Sequence, residues 1–309
     1  MNKVERVRAA LAGAEVDRPP ASFWYHFPPS QAHGAASVKA HLDYYRASGI
    51  DFLKIMNEHP YRGNVEIKTP ADWKQLRPAA LRSRFFQEQL DEVKRIVDAL
   101  GGECLAITTI FGPFAAGNHA SGDLVTEHLR ADPQAVSQGL ATIADSLAEF
   151  GLACVKAGAS GIYYSAQGSE ADRVTAEEFL SYIKPHDLTV LNALQEAGEF
   201  HLLHICKDHV RLNLYADCPS HAANWAATKH NPSLKEGAGI LRRTVLGGMD
   251  DRGIIVDGSQ SAIQTAVRKV IGEFGSTRGV MLGADCTVPT DIAVEHIRWA
   301  VEATALPPR

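Results

Sequence analysis

Short runs rich in β-branched and aromatic residues alternate along this chain with longer stretches whose apolar residues recur every three or four positions. That alternation constrains the fold more than any other feature. A strand, a helix and another strand read as a parallel pair joined by a crossover, and repetition of the unit builds a parallel sheet covered by helices. Strands are predicted at residues 21–26, 51–56, 104–110, 161–167, 200–206, 222–226, 244–249 and 279–285. Eight such units in 309 residues predict a single α/β domain over 1–309, a (β/α)8 TIM barrel with an N-terminal helical extension.

The helices carry their own start signals. Asp132-Pro133 supplies a side-chain cap and a proline suited to the first helical turn, and Val136, Leu140, Ile143, Leu147 and Cys154 follow as one apolar stripe. Thr175 and Glu178 form a capping box that opens a helix carrying Phe179, Leu180 and Ile183. Residues 306–309 read as a frayed tail.

Charge and cysteine usage exclude several classes of partner. The net charge is −5, from 31 basic and 36 acidic residues without a run of one sign, so nucleic acid and a membrane surface are not expected as partners. No stretch of 18 apolar residues occurs, and the N-terminus, MNKVERVRAALAGAEVDRPP, is charged and helix-like. A cytoplasmic location is expected. Cys104, Cys154, Cys206, Cys218 and Cys286 are an odd, widely spaced set, which suits reduced thiols or metal ligands better than a disulfide framework.

The chemistry concentrates in HLLHICKDH. His204 and Cys206 stand two residues apart in a predicted strand, so their side chains leave the same face. Cys286, in GVMLGADCTVP, ends the last predicted strand. In a barrel, the C-terminal ends of both strands open onto one mouth, where active sites form. Three N and S ligands suit a catalytic zinc, Zn2+, because the fourth position stays open. A free thiol of pKa ~8.5 is only a few per cent ionised at pH 7, so full ionisation as a zinc-bound thiolate would increase the nucleophile roughly thirtyfold. Hydrolysis by a metal-bound water ranks lower, since two thiolates weaken the ion as a Lewis acid. A rival set, His204, Cys206, Cys218 and His221, could close a structural zinc site instead.

Further residues fall near predicted strand ends. His26, within Phe23-Trp24-Tyr25-His26-Phe27, and Glu58, beside His59, are candidate substrate contacts, and Glu58 or His59 could supply a fourth ligand. Tyr163, Gln167 and Asn224 are candidate substrate contacts as well. Asp250 and Asp251 read as turn residues, Asp285 as an orienting partner beside Cys286, and Cys104 and Cys154 as core.

At these residues the chain resembles the uroporphyrinogen decarboxylase superfamily, in particular its zinc-dependent, cobalamin-linked methyltransferase branch. The resemblance runs through RVRAALAGAEVDRPP, KAGASGIYYSAQGSE, EEFLSYIKPH, HLLHIC, ANWAATKHNPSLKEGAG, RTVLGGMDDRG and GVMLGADCTVPTDIAVEHIRWAVEA. It implies a (β/α)8 barrel in which His204, Cys206 and Cys286 bind zinc that activates a thiol such as coenzyme M, with methyl drawn from a corrinoid (methylcobalamin), free or on a partner protein. Related enzymes transfer other alkyl groups. The chain carries no corrinoid-binding D-x-H-x-x-G segment of its own.

The expected activity is therefore a zinc-dependent methyl or alkyl transferase acting on a small thiol or methylated substrate. The alternative is a metal-independent decarboxylase or lyase on the same barrel. Porphyrinogen decarboxylases carry an arginine-rich stretch near the first strand, where this chain reads SFWYHFPPSQAHG, without arginine. A second departure is Lys207-Asp208-His209, where the superfamily commonly continues with glycines. Pairing of family members suggests a homodimer.

Overall fold

A computed structural model describes residues 1–305; the tail at 306–309 lies outside the described residues. Its centre is one parallel sheet of seven strands in sequential order: β1 (Phe52–Ile55), β2 (Leu105–Phe111), β3 (Gly161–Ala166), β4 (Leu202–Ile205), β5 (Ala222–Trp225), β6 (Thr244–Met249) and β7 (Val280–Ala284). Every neighbouring pair is parallel, and each strand ends within two residues of its predicted bounds. The sheet curls into a TIM-barrel-like α/β arrangement. Its strands are nearly continuous runs of buried residues, because helices cover one face and side chains fill the other.

The first predicted strand, 21–26, is corrected. It forms two isolated parallel bridges, Ala21 with Leu282 and Tyr25 with Val288, rather than a ladder. The segment nevertheless reaches both edges of the sheet: the Ser22 amide donates to Leu282 O on β7, and the Ser22 hydroxyl to Phe52 O on β1. The second bridge is shifted by two residues relative to the first and falls beyond the end of β7 at Ala284, so no continuous ladder joins them.

The N-terminal helix Lys3–Leu11 docks through charge. Asp51, fully buried just before β1, accepts from Arg6 and from both terminal nitrogens of Arg18 at 2.8–2.9 Å. Two guanidinium groups on one carboxylate satisfy its oxygens, which makes the burial tolerable. Elsewhere the sequence signals hold. The Asp132 side chain caps the helix Pro133–Lys156 by accepting from the Ala135 amide, and its apolar stripe is buried. Thr175 and Glu178 form both halves of their capping box, but a π turn over Phe179–Ile183 follows and leaves Leu180 exposed. Pro185, in the first turn of the next helix, has no amide to continue the regular ladder.

Candidate metal centre

β4 ends at Ile205 and β7 at Ala284, so Cys206 and Cys286 leave their strands just beyond the C-terminal edge. His204 lies one turn of the pleat earlier, on the same face as Cys206. The three ligand atoms come within 4.8 Å of one another, and His204 Nε2 stands 3.7 Å from Cys286 Sγ.

Strand register sets the imidazole. His204 is paired across the sheet with Asn224 on β5. Asn224 is fully buried, its amide nitrogen donates to Leu246 O and Ala284 O, and its oxygen therefore accepts from His204 Nδ1 at 2.6 Å. That assignment places the imidazole proton on Nδ1 and leaves the Nε2 lone pair facing the sulfurs. The two thiols share a proton unequally. Because Cys206 donates a hydrogen bond to Cys286, the Cys286 thiol is held well below the ordinary value and the Cys206 thiol well above it; burial raises Cys206 further and opposes the fall at Cys286.

Tyr163 on β3 stacks on the His204 ring at 5.3 Å and 23°, and Trp24 meets Tyr163 edge-on at 5.2 Å. Beneath these rings lies Lys54 of β1, only 4% exposed. Its Nζ sits 4.0 Å from the Tyr163 ring centroid, 5.1 Å from that of Trp24 and 3.1 Å from Met56 Sδ, so aromatic faces and a thioether surround the ammonium. Burial pushes the Lys54 ammonium down to about 7; Cys286 and then Glu58 oppose that fall most. Sequence reasoning missed Lys54. The signal was a single cation inside the apolar strand FLKI, a conflict between residue type and burial that marks functional positions.

The other expected contacts are distributed differently. Tyr163 joins the site through its ring, and burial raises its hydroxyl well above the ordinary value. Asn224, expected to touch substrate, is instead committed to His204 and two carbonyls. Gln167 is half-buried just past β3. His26 is half-exposed and bonds both oxygens of Glu58 at 2.9–3.0 Å. Burial works to raise the Glu58 carboxyl, but hydrogen bonds from His26 and the Phe27 amide outweigh it and hold the group low. His59 turns toward His33 and Glu92.

Cys218 and His221 do not join His204 and Cys206. They precede β5, whereas the triad occupies the opposite strand ends, and the His221 ring accepts from the His201 amide. Asp285 accepts from the Thr228 amide and hydroxyl, and burial pushes its carboxyl up to about 6. Asp250 and Asp251 pair with Lys229 and Arg252, as turn residues do. Cys104 and Cys154 are buried. After Cys206 the backbone turns left-handed at Lys207 (φ 88°) and His209 (φ 51°), conformations that favour glycine. Asp208 holds this strained turn by accepting from the His209 and His230 amides.

A donor set of one imidazole nitrogen and two sulfurs, with the imidazole oriented from behind, fits a zinc ion that keeps an open position.

Residues 42–305 match the model of the uroporphyrinogen decarboxylase (URO-D) family. The chain belongs to that family. It is 23% identical over 183 residues to methylcobamide:CoM methyltransferase MtbA of Methanosarcina mazei, covering 59% of this chain and 53% of that protein. With MtbA of Methanosarcina acetivorans the identity is 21% over 206 residues, covering 66% and 60%. The matches thus span little more than half of these relatives' length. Among solved structures, a methyltransferase from Methanosarcina mazei superposes with a TM-score of 0.79 at 16% identity, covering 98% of each chain. A B12-independent methionine synthase from Shewanella sp. W3-18-1 superposes at 0.62 with 13% identity, covering 93% and 97%. Both likenesses establish the fold. No helix among the described residues is long and apolar enough to cross a membrane.

Proposed function

We propose that this URO-D family member is a zinc-dependent methyltransferase that joins a corrinoid methyl donor to a small thiol acceptor. The observation that carries the reading is the convergence of His204 Nε2, Cys206 Sγ and Cys286 Sγ at the C-terminal strand ends. The distant relatives named as methylcobamide:CoM methyltransferases support it. His204, Cys206 and Cys286 would hold the zinc, and the ion would supply a Lewis acid that lowers the pKa of an incoming thiol.

The chain's own groups account for the rest. Two cysteine thiolates and a neutral imidazole would balance one divalent charge, so an acceptor thiol ionised there would carry one excess negative charge. Lys54, buried under the Tyr163 ring that stacks on His204, would supply the opposing positive charge when protonated, which such an anion favours. Asn224 keeps the imidazole correctly turned, with Nε2 toward the sulfurs. In the overall reaction the acceptor sulfur forms a bond to the methyl carbon as the cobalt–carbon bond breaks heterolytically. The electron pair stays on cobalt, and the thiol proton passes to solvent.

The test is methyl transfer from methylcobalamin to 2-mercaptoethanesulfonate, followed by loss of the methylcobalamin absorbance, with bound zinc counted in the same samples. Expected is turnover that disappears together with one zinc per chain in Cys286→Ser. Undiminished turnover in a folded, zinc-depleted Cys286→Ser protein would refute the reading and favour metal-independent chemistry.

A further inference from the structure

A second cluster of ligating side chains lies outside the thiol site. His33 precedes the helix Gly34–Ser48, His59 sits in the irregular segment after β1, and Glu92 belongs to the helix Arg84–Leu100. Three separate elements thus bring together two imidazoles and a carboxylate. His33 Nδ1 is 3.3 Å from His59 Nε2, which is 3.4 Å from each Glu92 oxygen. All three ligand atoms lie within 4.8 Å of one another.

These separations are poor for hydrogen bonds and good for coordination. N–H···O bonds have their optimum near 2.9–3.0 Å, and the single Nε2 of His59 cannot serve His33 and both Glu92 oxygens at once. By contrast, donors about 2.0–2.2 Å from a tetrahedral ion stand roughly 3.3–3.6 Å apart along the edges of the tetrahedron. The His33–His59 separation and those from His59 to the Glu92 oxygens fall in that interval, and His33 lies within 4.8 Å of Glu92.

Charge points the same way. Glu92 is 5% exposed, and among the described residues its contacts are the Gly34 amide and His59 rather than a lysine or arginine. A buried carboxylate needs a compensating cation. The Gly34 amide fixes the orientation of that carboxylate, and Asn57 accepts from the His59 amide to fix the loop, so the groups are oriented by neighbours as metal ligands are.

We propose that His33, His59 and Glu92 bind a second divalent transition-metal cation. The two-nitrogen, one-oxygen donor set selects a borderline ion such as Zn2+, Co2+ or Ni2+ and lacks the sulfur of the thiol site. His33 is exposed, so the position opens to solvent. Binding would pin the segment from Asn57 to His59, which also carries Glu58, onto the helices Gly34–Ser48 and Arg84–Leu100.

The two sites are separable by loading reduced protein with Co2+, removing excess by gel filtration, and measuring cobalt per chain with the near-ultraviolet spectrum. Only the thiol site gives a thiolate-to-cobalt charge-transfer band. Expected are two ions per chain in the wild type, one in His33→Ala and in Glu92→Gln with the band retained, and one in Cys286→Ser with the band lost. Exposed His33 makes His33→Ala the deciding variant if Glu92→Gln fails to fold, as circular dichroism would reveal. Unchanged cobalt in His33→Ala overturns the proposal, as does a wild type holding no more than one ion that vanishes with Cys286. Loss of the charge-transfer band from the wild type would instead count against the thiol site alone.

Discussion

Histidine and cysteine stand at both ends of the sheet, yet only one end brings them together as a candidate metal centre. Beyond the C-terminal edge stand His204, Cys206 and Cys286; before the N-terminal edge stand His201, Cys218 and His221. At the closed end, His201 donates from Nε2 to Ala197 O and accepts at Nδ1 from the Ile162 amide, so neither nitrogen is free. Burial pushes the Cys218 thiol up to about 12. At the open end, Asn224 occupies one nitrogen of His204 and leaves the other facing a sulfur. Ligand competence follows from what the fold leaves uncommitted, and residue type alone does not decide it.

The largest effect that would break this comparison is a swap of cysteines. Cys286→Ser is expected to lower methyl transfer more than roughly 100-fold, because even the loss of an outer hydrogen-bond partner of a metal ligand costs 10–100-fold. Cys218→Ser should keep turnover within about twofold, as befits a buried thiol remote from the chemistry. Zinc that survives Cys286→Ser and departs with Cys218→Ser would reverse the assignment of the two ends. A smaller effect tests the orientation argument: Asn224→Ala is expected to weaken zinc about 10–100-fold in chelator competition, whereas His221→Ala leaves it unchanged. Equal zinc affinity in both would remove the significance of the committed Nδ1.

Lys54→Met probes the charge beneath the open end. With the ammonium gone, the apparent pKa of a bound thiol should rise by about one unit, weakening thiol binding at pH 7 by about tenfold. Zinc content should not change, since Lys54 contacts aromatic rings and a thioether. Calorimetric titration with 2-mercaptoethanesulfonate reads the affinity directly. An unchanged affinity and pH profile would reduce Lys54 to a tolerated core cation.

Sequence periodicity located the seven regular strands because parallel strands buried on both sides leave apolar runs bounded by turns. It misread 21–26, whose composition suits a strand but whose two bridges to the far edge are out of register with each other. His204 and Cys206 were legible as a pair, since alternation along a strand fixes their common face. Cys286 followed from the rule that barrel strands end at one mouth. What could not be read was lateral register. Only the pairing of β4 with β5 reveals that Asn224 opposes His204, and only packing brings Lys54 under Tyr163 or His33 beside His59 and Glu92.

The smallest effect comes from the helical layer packed outside the sheet. Asp187, on the helix Lys184–Leu194, is buried with the Tyr164 hydroxyl bonded to one oxygen at 2.6 Å, and its other oxygen has no partner. Burial pushes the carboxyl up to about 7 despite that bond. An unfolded aspartate titrates near 3.9, so the folded state binds the extra proton more tightly between about pH 4 and 7. The associated stability is fully present below that window and is lost as pH rises through 7. Asp187→Asn retains the acceptor without an ionisable group. It should therefore flatten the pH dependence, with the variant gaining ~2–4 °C in Tm over the wild type between pH 5 and 8. Lys54 contributes with the opposite slope, because its depressed value makes the burial penalty fall as pH rises above 7. Parallel Tm–pH curves for wild type and Asp187→Asn would show that the carboxylate near Cys218 is solvated or otherwise charge-balanced.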